Sequence, residues 1–384
     1  MVTGALTAGS VAGGLLAPFA GRLADRFGPR ALMPTGALVV GGAFLALARI
    51  GSLWHLYVAY VVARALSTNA MAGVVPLTAV TNWFVAKRGR AMGLTTMALP
   101  LGASALAFTS QLIIEASSWR NVYSLLALMT WVLVVAPSWI VMRRSPEDLG
   151  LLPDGESPAQ VSGSERESPK EGVIRADFSW TVSEAVRTQA LWLIISSFFA
   201  ALLANGSIGF HQVAYFTDMG ISAKVAASVL SVYALSGAIS NFTWGFLAEK
   251  FHERRCAIIA NFLSAAAVAM LIFIRSAPLA YLWAVCFGLA ARGEGELINL
   301  LIGRYYGRGS FGSISGVVVP FQMLALGLGP LIAAAAYDLT GSYSGVFTMF
   351  VFTYVISGFL VLMAKPPKLP ERAYSQEALA QEPR

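Results

Sequence analysis

Long apolar runs separated by short polar loops make up most of this chain. The first part contains five of them, at about 2–20, 32–48, 54–80, 91–115 and 122–142. The second part contains six, at about 188–217, 222–248, 256–275, 278–303, 311–336 and 345–364. Most approach the ~20 residues that span a bilayer core of about 30 Å. The pattern predicts an all-α polytopic membrane protein with 11 transmembrane helices, five and then six.

Two polar stretches interrupt this pattern and divide the chain. Residues 143–187 are rich in Ser, Pro, Glu and Arg, which predicts a solvated, partly disordered linker. Its end, from Trp180 to Gln189, can form a short amphipathic helix. The predicted domains are an N-terminal bundle over 1–142, the linker, a C-terminal bundle over 188–364 and a polar tail over 365–384.

The composition is that of a membrane protein. The chain is 57% hydrophobic, and only 12% of its residues are charged, against roughly 25% in soluble domains. Its net charge is +7, which alone would also be compatible with nucleic-acid binding. The distribution of the charge favours a membrane topology instead.

Lysine and arginine residues concentrate on one predicted face of the membrane. Of the 27 in the chain, 21 lie on the face that holds the central linker. The exceptions are Arg49, Arg120, Lys224 and Arg275 on the other face, and Arg64 and Arg292 inside apolar runs. This bias follows the positive-inside rule. It predicts a cytoplasmic linker and C-terminus, a location in the cell (inner) membrane, and no binding of nucleic acid.

A ten-residue charged motif occurs twice, each time between two apolar runs. It reads GRLADRFGPR at 21–30 and GFLAEKFHER at 245–254, an offset of 224 residues. Arg88-Gly89 recurs as Arg308-Gly309 at an offset of 220. These repeats predict two related halves. The candidate functional residues of the motifs are glycines, carboxylates and bases: Gly21, Asp25, Arg26, Arg30, Gly245, Glu249 and Lys250.

The first copy matches the signature G-x-L-A-D-R-x-G-x-R at every fixed position, and in this the chain resembles the major facilitator superfamily of membrane transporters. The resemblance implies two pseudo-symmetric helical bundles in the lipid bilayer, acting as a monomer by alternating access on a small-molecule substrate. It also implies that the motif loop contacts the opposite half, here near Ser310-Phe311-Gly312, and holds one access state, which makes the motif residues named above candidates for gating. The alternative is a topological turn rich in positive charge.

The number of helices before the first motif departs from that family. In the family the motif follows the second helix, whereas here it follows the first apolar run. We therefore expect the first family helix to be missing, through either a misassigned start or a real truncation.

Charged residues inside apolar runs are candidates for binding a substrate or coupling ion, because ionisable groups are costly at membrane depth. Arg64 lies in the family's fourth helix, and Arg292, Glu294 and Glu296 lie in its tenth. Glu294 and Glu296 are two residues apart, so we expect one to face the cavity and the other a neighbouring helix or Arg292. The alternative for these four residues is a structural ion-pair set between the halves.

His211 lies near the outer end of the run at 188–217. A histidine there could titrate in the physiological range and take part in coupling. It could equally be an interfacial residue that is hydrogen-bonded to the backbone.

The chain lacks sequence motifs for catalysis or cofactor binding. It contains no G-x-x-x-x-G-K-S/T match, so it should carry no ATPase of its own. Its two cysteines, Cys256 and Cys286, fit no metal pattern. We therefore expect no enzymatic activity, no cofactor and no metal, and transport that runs on a proton or counter-ion gradient.

Several segments resemble the bacterial monocarboxylate-porter and oxalate/formate-antiporter branch of the family, among them His211 to Asp218, Arg304-Tyr305-Tyr306-Gly307 and 337–343. The branch tends to place a charge in its eighth helix, whereas Val225 to Leu247 contains none. Arg64 is then the candidate cation for a carboxylate. Three hypotheses remain open: a monocarboxylate-type anion transporter, an efflux carrier for neutral or hydrophobic compounds, and a truncated protein without transport.

Overall fold

The computed structural model describes residues 2–155 and 180–370. In these residues the chain forms helices and no strands. The first half contains α1 (Val2–Phe27), α2 (Pro29–Ala48), α3 (Leu53–Leu66), α4 (Val74–Trp83), α5 (Arg88–Ala116), α6 (Trp119–Thr130) and α7 (Ala136–Val141). The second half contains α8 (Val182–Val186), α9 (Gln189–Asp218), α10 (Ala223–Phe251), α11 (Glu253–Ile272), α12 (Ala277–Ala291), α13 (Glu294–Tyr306), α14 (Phe311–Thr340) and α15 (Ser344–Met363).

The predicted all-α polytopic fold is confirmed. Among the described residues, nine helical segments are long and apolar enough to cross a membrane. Two of these segments join α3 to α4 and α6 to α7 through π-helical turns. The number of eleven transmembrane helices stays a prediction.

Two of the predicted spans contain an internal irregularity that the sequence did not predict. In the run at 54–80, the π-helical turn Ser67–Met71 is followed by α4, whose N-cap residue is Gly73. The run at 278–303 is interrupted at Gly293, between α12 and α13. A Cβ atom would lie 2.4 Å from the Thr68 carbonyl oxygen at Gly73, and 2.3 Å from a Trp244 ring carbon at Gly293. Only glycine fits these positions, and both breaks lie at corresponding places in the two halves.

The two halves pack through α1 against α14 and through α5 against α10. Glycines permit these contacts. A Cβ atom on Gly21 would lie 2.0 Å from the carbonyl oxygen of Gly312, and one on Gly245 would lie 2.2 Å from that of Gly89. Both pairs lie at the end of the bundle that carries the repeated motifs, which we call the motif end.

The start of the predicted linker is folded and contacts both halves, while most of its side chains stay partly or fully exposed. It forms two 3₁₀-helical turns, Pro146–Leu149 and Pro153–Gly155. The Asp154 carboxylate accepts hydrogen bonds from three successive backbone N–H groups, at residues 85–87, with distances of 3.2, 2.8 and 3.0 Å. Glu147 pairs with Arg308 of the second half at 2.6 Å. Residues 156–179 of the linker lie outside the described residues, and the domain boundaries stay predictions.

Candidate functional site

A cavity of about 390 Å³ lies between the two halves. It is bounded by the broken helices of both halves, with Met71 and Ala72 on one side and Gly295 on the other. Helices α5 and α10 complete its wall. Its polar and charged lining residues are Thr95, Thr96, Asn241, Arg292, Glu296 and Asn299.

Glu296 joins the two halves at this cavity. Its carboxylate is only 2% exposed, and Oε2 accepts a hydrogen bond of 2.8 Å from the hydroxyl of Thr96 in α5. Among the described residues, the second oxygen, Oε1, has no hydrogen-bond partner. A buried carboxylate with a free oxygen beside a cavity can bind a proton or a donor group of a ligand.

Arg292 supplies the positive charge of the cavity. Its side chain is exposed, and its guanidinium lies over the ring of Tyr233 at 5.6 Å. The Tyr233 hydroxyl donates to Asn205 Oδ1 at 3.0 Å, and Asn205 Nδ2 donates to the Ala291 carbonyl at 3.2 Å. A Cβ atom on Gly237 would lie 2.7 Å from Arg292 Cγ. This packing holds the guanidinium at the cavity wall without neutralising its charge.

Glu294 faces the opposite side of α13. It is 4% exposed, inside the second half, and Oε1 lies 3.3 Å from the hydroxyl of Ser264 in α11. The structure therefore separates the two carboxylates, with Glu296 facing the other half and Glu294 facing a neighbouring helix.

The structure does not bring the two other candidates into the cavity lining. Arg64 is exposed and packs its Cβ and Cγ atoms beside Gly9 of α1. Among the described residues, no carboxylate forms an ion pair with it. The His211 ring contacts the Pro330 carbonyl through Nε2 at 3.0 Å and the Tyr343 hydroxyl through Nδ1 at 3.2 Å. The contact with the Pro330 carbonyl fits the interpretation of His211 as an interfacial residue that is hydrogen-bonded to the backbone.

At the motif end, Asp25 caps a helix of the opposite half. Its Oδ1 accepts from the backbone N–H of Gly312 at 2.9 Å, and Oδ2 accepts from that of Ser313 at 2.7 Å. These are the second and third residues of α14, whose own N-cap residue, Ser310, makes no side-chain capping bond. We call this contact the first latch.

Glu249 makes the corresponding contact in the reverse direction, which we call the second latch. Its Oε1 accepts from the backbone N–H of Arg90 at 2.8 Å, and Oε2 pairs with Arg90 Nε at 2.7 Å. Arg90 is the third residue of α5, and the N-cap residue Lys87 makes no side-chain capping bond. Each half therefore caps a helix of the other.

The basic residues of the two motifs contact aromatic rings of their own halves. The guanidinium groups of Arg26 and Arg30 lie 5.2 Å from the Phe27 ring and 5.9 Å from the Trp139 ring. Lys250 Nζ lies 4.6 Å from the Phe246 ring. Their predicted gating role stays a prediction.

The repeated motifs, the broken helices and the cavity between two halves are features of one transporter family. The sequence profile of the Major Facilitator Superfamily matches residues 1–222 and 195–383. The chain belongs to the Major Facilitator Superfamily. It is therefore a multi-pass membrane transporter and not an enzyme.

Within the superfamily, the chain is similar to proteins named as monocarboxylate transporters and to an oxalate:formate antiporter. The chain is 25% identical to monocarboxylate transporter 12 of Rattus norvegicus over 374 residues, which cover 93% of this chain and 76% of the relative. It is 22% identical to the oxalate:formate antiporter of Oxalobacter formigenes over 363 residues, which cover 91% and 80%.

Solved superfamily structures show the same fold. The E. coli fucose:proton symporter FucP superposes with a TM-score of 0.70 at 14% identity, covering 95% of this chain and 91% of that one. The human organic anion transporter MFSD10 gives 0.70 at 18% identity, covering 93% and 83%. At these identities the likeness shows the fold alone.

Sequence reasoning missed several residues that make the contacts described above. Thr96 lies 200 residues from its partner Glu296, and no local pattern distinguishes it from the other threonines of α5. Arg90 was visible only as part of a basic loop. The signal for Asp154 was weak, because a single acidic residue in a polar segment has no expected partner.

Proposed function

We propose that this chain transports a small organic anion of the monocarboxylate type, coupled to protons or to exchange. The observation that carries the proposal is the cavity between the halves, which combines one cationic side chain, Arg292, with one buried carboxylate, Glu296. The curated relatives that carry monocarboxylates, oxalate and formate support the same substrate class.

Arg292 is the group that we assign to the substrate carboxylate. A planar guanidinium can bind a carboxylate through two parallel hydrogen bonds. The Arg292 side chain reaches the cavity, and Tyr233 stacks beneath it. Arg64, the candidate from the sequence, is absent from the described lining of this cavity. We therefore assign the substrate carboxylate to Arg292 in the tenth family helix and not to Arg64 in the fourth.

The broken helices favour an anion as well. Half-helices that begin at the middle of the membrane direct the positive ends of their dipoles toward the binding site. Helix α13 begins with two acidic residues of its own, Glu294 and Glu296, whereas α4 has no acidic residue in its first turn. The N-terminus of α4 beside Met71 and Ala72 is the end that remains open to a substrate anion.

Glu296 is the group that we assign to proton coupling. It is buried at the contact between the halves and lines the cavity, and one of its oxygens has no hydrogen-bond partner among the described residues. Ionisation of this carboxyl would strengthen its bond to Thr96, whereas protonation would remove the negative charge that repels a substrate anion. Binding of the proton and of the anion would thus support each other.

The two latches support an assignment of the conformation. Both join the halves at the motif end, which the positive-inside bias predicts to be cytoplasmic. We therefore infer that the described conformation is closed to the cytoplasm, and that transport requires both latches to open.

The test is uptake of radiolabelled formate, lactate and oxalate into liposomes that contain the purified protein. We expect Arg292→Gln to lower kcat/KM at least about 10-fold, the effect of losing a charge-assisted hydrogen bond. We expect Arg292→Lys to recover part of it and the matched control Arg64→Gln to stay near wild type. We expect Glu296→Gln to abolish accumulation driven by a pH gradient and to retain exchange.

Two outcomes would contradict this proposal. Loss of uptake in Arg64→Gln with normal uptake in Arg292→Gln would move the anion site to Arg64. Uptake of lactamide, the neutral amide, at the same rate as lactate would favour a carrier of neutral compounds, for which the charge-free stretch from Val225 to Leu247 is suited.

A further inference from the structure

A second cavity lies inside the second half, away from the one between the halves. It has a volume of about 10 Å³, close to the smallest space that holds one water molecule. Its polar lining consists of Ser197, Asn261, Glu294 and Ser357, from four different helices. Among the described residues that line it, Glu294 is the only one that can carry a charge.

Two hydrogen-bond acceptors on residues that line this cavity have no donor. They are Glu294 Oε2 and Asn261 Oδ1, which have no partner among the described residues. Both side chains are 4% exposed. The orientation of the Asn261 amide follows from its other end, because Nδ2 donates to the Ala257 carbonyl at 2.8 Å. A flipped amide would place two acceptor oxygens against each other.

The nearest hydroxyl does not supply the missing donor. Ser264 has one hydroxyl hydrogen, and its shorter contact is the 2.7 Å bond to the Ala260 carbonyl. Glu294 Oε1 lies farther away, at 3.3 Å. The other two serines of the cavity bond to each other, with Ser197 and Ser357 hydroxyls 2.8 Å apart.

An ionised Glu294 would also lack a counter-ion. Among the described residues, no cation lies within ion-pair distance of its carboxylate. A water molecule in the cavity could donate to both free acceptors, but it would leave an uncompensated charge inside the bundle. A proton on Glu294 removes that charge and supplies the donor that the two acceptors lack.

We propose that Glu294, Asn261 and Ser264 form a proton-binding site inside the second half, separate from Glu296, and that this site is occupied in the described conformation. The proton lies on Glu294 and is donated toward Asn261, directly or through one water molecule. Helix α13 carries Glu294 on one side and the cavity residue Glu296 on the other. A movement of α13 therefore changes the environment of both carboxylates, which makes proton binding at Glu294 reversible.

The groups around this site are mostly neutral. Helix α9 presents Ser197, Phe198 and Ala201, and α11 presents Asn261 and Ser264. The charged neighbour is Arg292 at the end of α12, and the titratable neighbours are Tyr354 of α15 and Tyr233 of α10. The Tyr233–Asn205 hydrogen bond of 3.0 Å connects this region with Arg292 and the cavity between the halves.

The test is infrared difference spectroscopy of the purified full chain during a pH titration, which detects the carbonyl stretch of a protonated carboxyl group. Glu294→Gln and Glu296→Gln are matched isosteric variants two residues apart. We expect a pH-dependent carboxyl band that is lost in Glu294→Gln and kept in Glu296→Gln. We expect Asn261→Leu to shift this band, because the acceptor of its hydrogen bond is removed.

Three results would overturn the proposal. The first is a spectrum that Glu294→Gln leaves unchanged. The second is a Glu294 band that does not titrate over the pH range in which the protein stays folded, which would make the residue structural. The third is loss of the band when NaCl is added at constant pH, which would make this a site for a metal cation. The role of this site in transport rests on the proposed function. The infrared measurement requires no substrate, so its result is independent of whether the protein transports a monocarboxylate.

Discussion

The two latches perform the same task with different partners. In the first, both oxygens of Asp25 accept from backbone N–H groups, of Gly312 and Ser313. In the second, one oxygen of Glu249 accepts from the backbone and the other pairs with the side chain of Arg90. The Arg90 side chain is 48% exposed.

From this difference we expect the two copies of one sequence motif to form contacts of unequal strength. The first latch is built on two backbone N–H groups of its partner helix. The second depends on a long, half-exposed side chain, whose ordering costs entropy and whose charge is screened by salt. We therefore expect the first latch to contribute more to the closed conformation than the second.

The largest effect should come from the glycine contact behind the first latch. In Gly21→Ala, the new Cβ atom would lie 2.0 Å from the Gly312 carbonyl oxygen, and backbone overlap of this kind costs about 1–3 kcal/mol. We expect the population with a closed motif end to fall about 10-fold or more, measured by the distance between spin labels on α1 and α14. Gly42→Ala is the matched control, because no atom lies within 4 Å of its Cβ position. An unchanged closed population in Gly21→Ala would refute the packing argument.

Removal of the first latch itself should have the next largest effect. Asp25→Ala leaves two N–H groups of α14 without their cap, at a cost of about 1–2 kcal/mol. The same spin-label distance should show a roughly 5- to 30-fold loss of the closed form, and Asp25→Asn should lose less. The loss should change little with added salt. A steeper salt dependence than that of Glu249 variants would reverse the ranking.

The second latch should give a smaller effect that depends on salt. A half-exposed ion pair contributes about 0.2–1 kcal/mol, so Glu249→Gln and Arg90→Ala should each shift the closed population only a few-fold. A double-mutant cycle between them should give a coupling energy in that range at low salt and less at high salt. Additive effects at low salt would show that the pair contributes no energy.

The smallest effect should come from the linker contact between Glu147 and Arg308. Partial burial of the Glu147 carboxyl opposes ionisation, but hydrogen bonds from its own backbone N–H and from Arg308 outweigh this, and they lower its pKa. A lowered pKa in the folded state stabilises the protein above the unfolded pKa of about 4.3, and this stabilisation is lost as the pH falls further. The melting temperature of Glu147→Gln should therefore lie slightly below that of wild type at neutral pH. The melting temperatures of the two proteins should converge below about pH 4. A difference in melting temperature that stays constant with pH would show that the Glu147–Arg308 ion pair is not its cause.

Much of the fold could be predicted because its signals are local. The lengths of the apolar runs, the charge bias of the loops and the two motif copies each lie within a short stretch of chain. The sequence did not predict the breaks at Gly73 and Gly293, because nothing near a glycine in an apolar run shows why a side chain is excluded there. In the fold, the Thr68 carbonyl occupies that space at Gly73, and the Trp244 ring occupies it at Gly293.

The candidate site was predictable in part. Charged residues at membrane depth are rare, so Arg292, Glu294 and Glu296 could be selected from the sequence alone, together with Arg64 and His211. Their separation was predictable as well, since two residues of a helix two positions apart face different sides. Which carboxylate faces the cavity was not predictable, because that depends on the rotation of α13 relative to α5 and α11.

The sequence by itself determined the membrane class, the helical architecture, the duplication and the family, because each follows from residue spacing along the chain. The resemblance to the family had also placed the first motif near Ser310-Phe311-Gly312, where Asp25 caps α14. Only the tertiary structure decided that Glu249 caps α5, which side of α13 Glu294 and Glu296 face, and that the start of the linker contacts both halves. These contacts join residues far apart in the chain, such as Glu249 with Arg90 and Thr96 with Glu296. They arise from the way two independently recognisable bundles fit together, and short-range patterns carry no information about that fit.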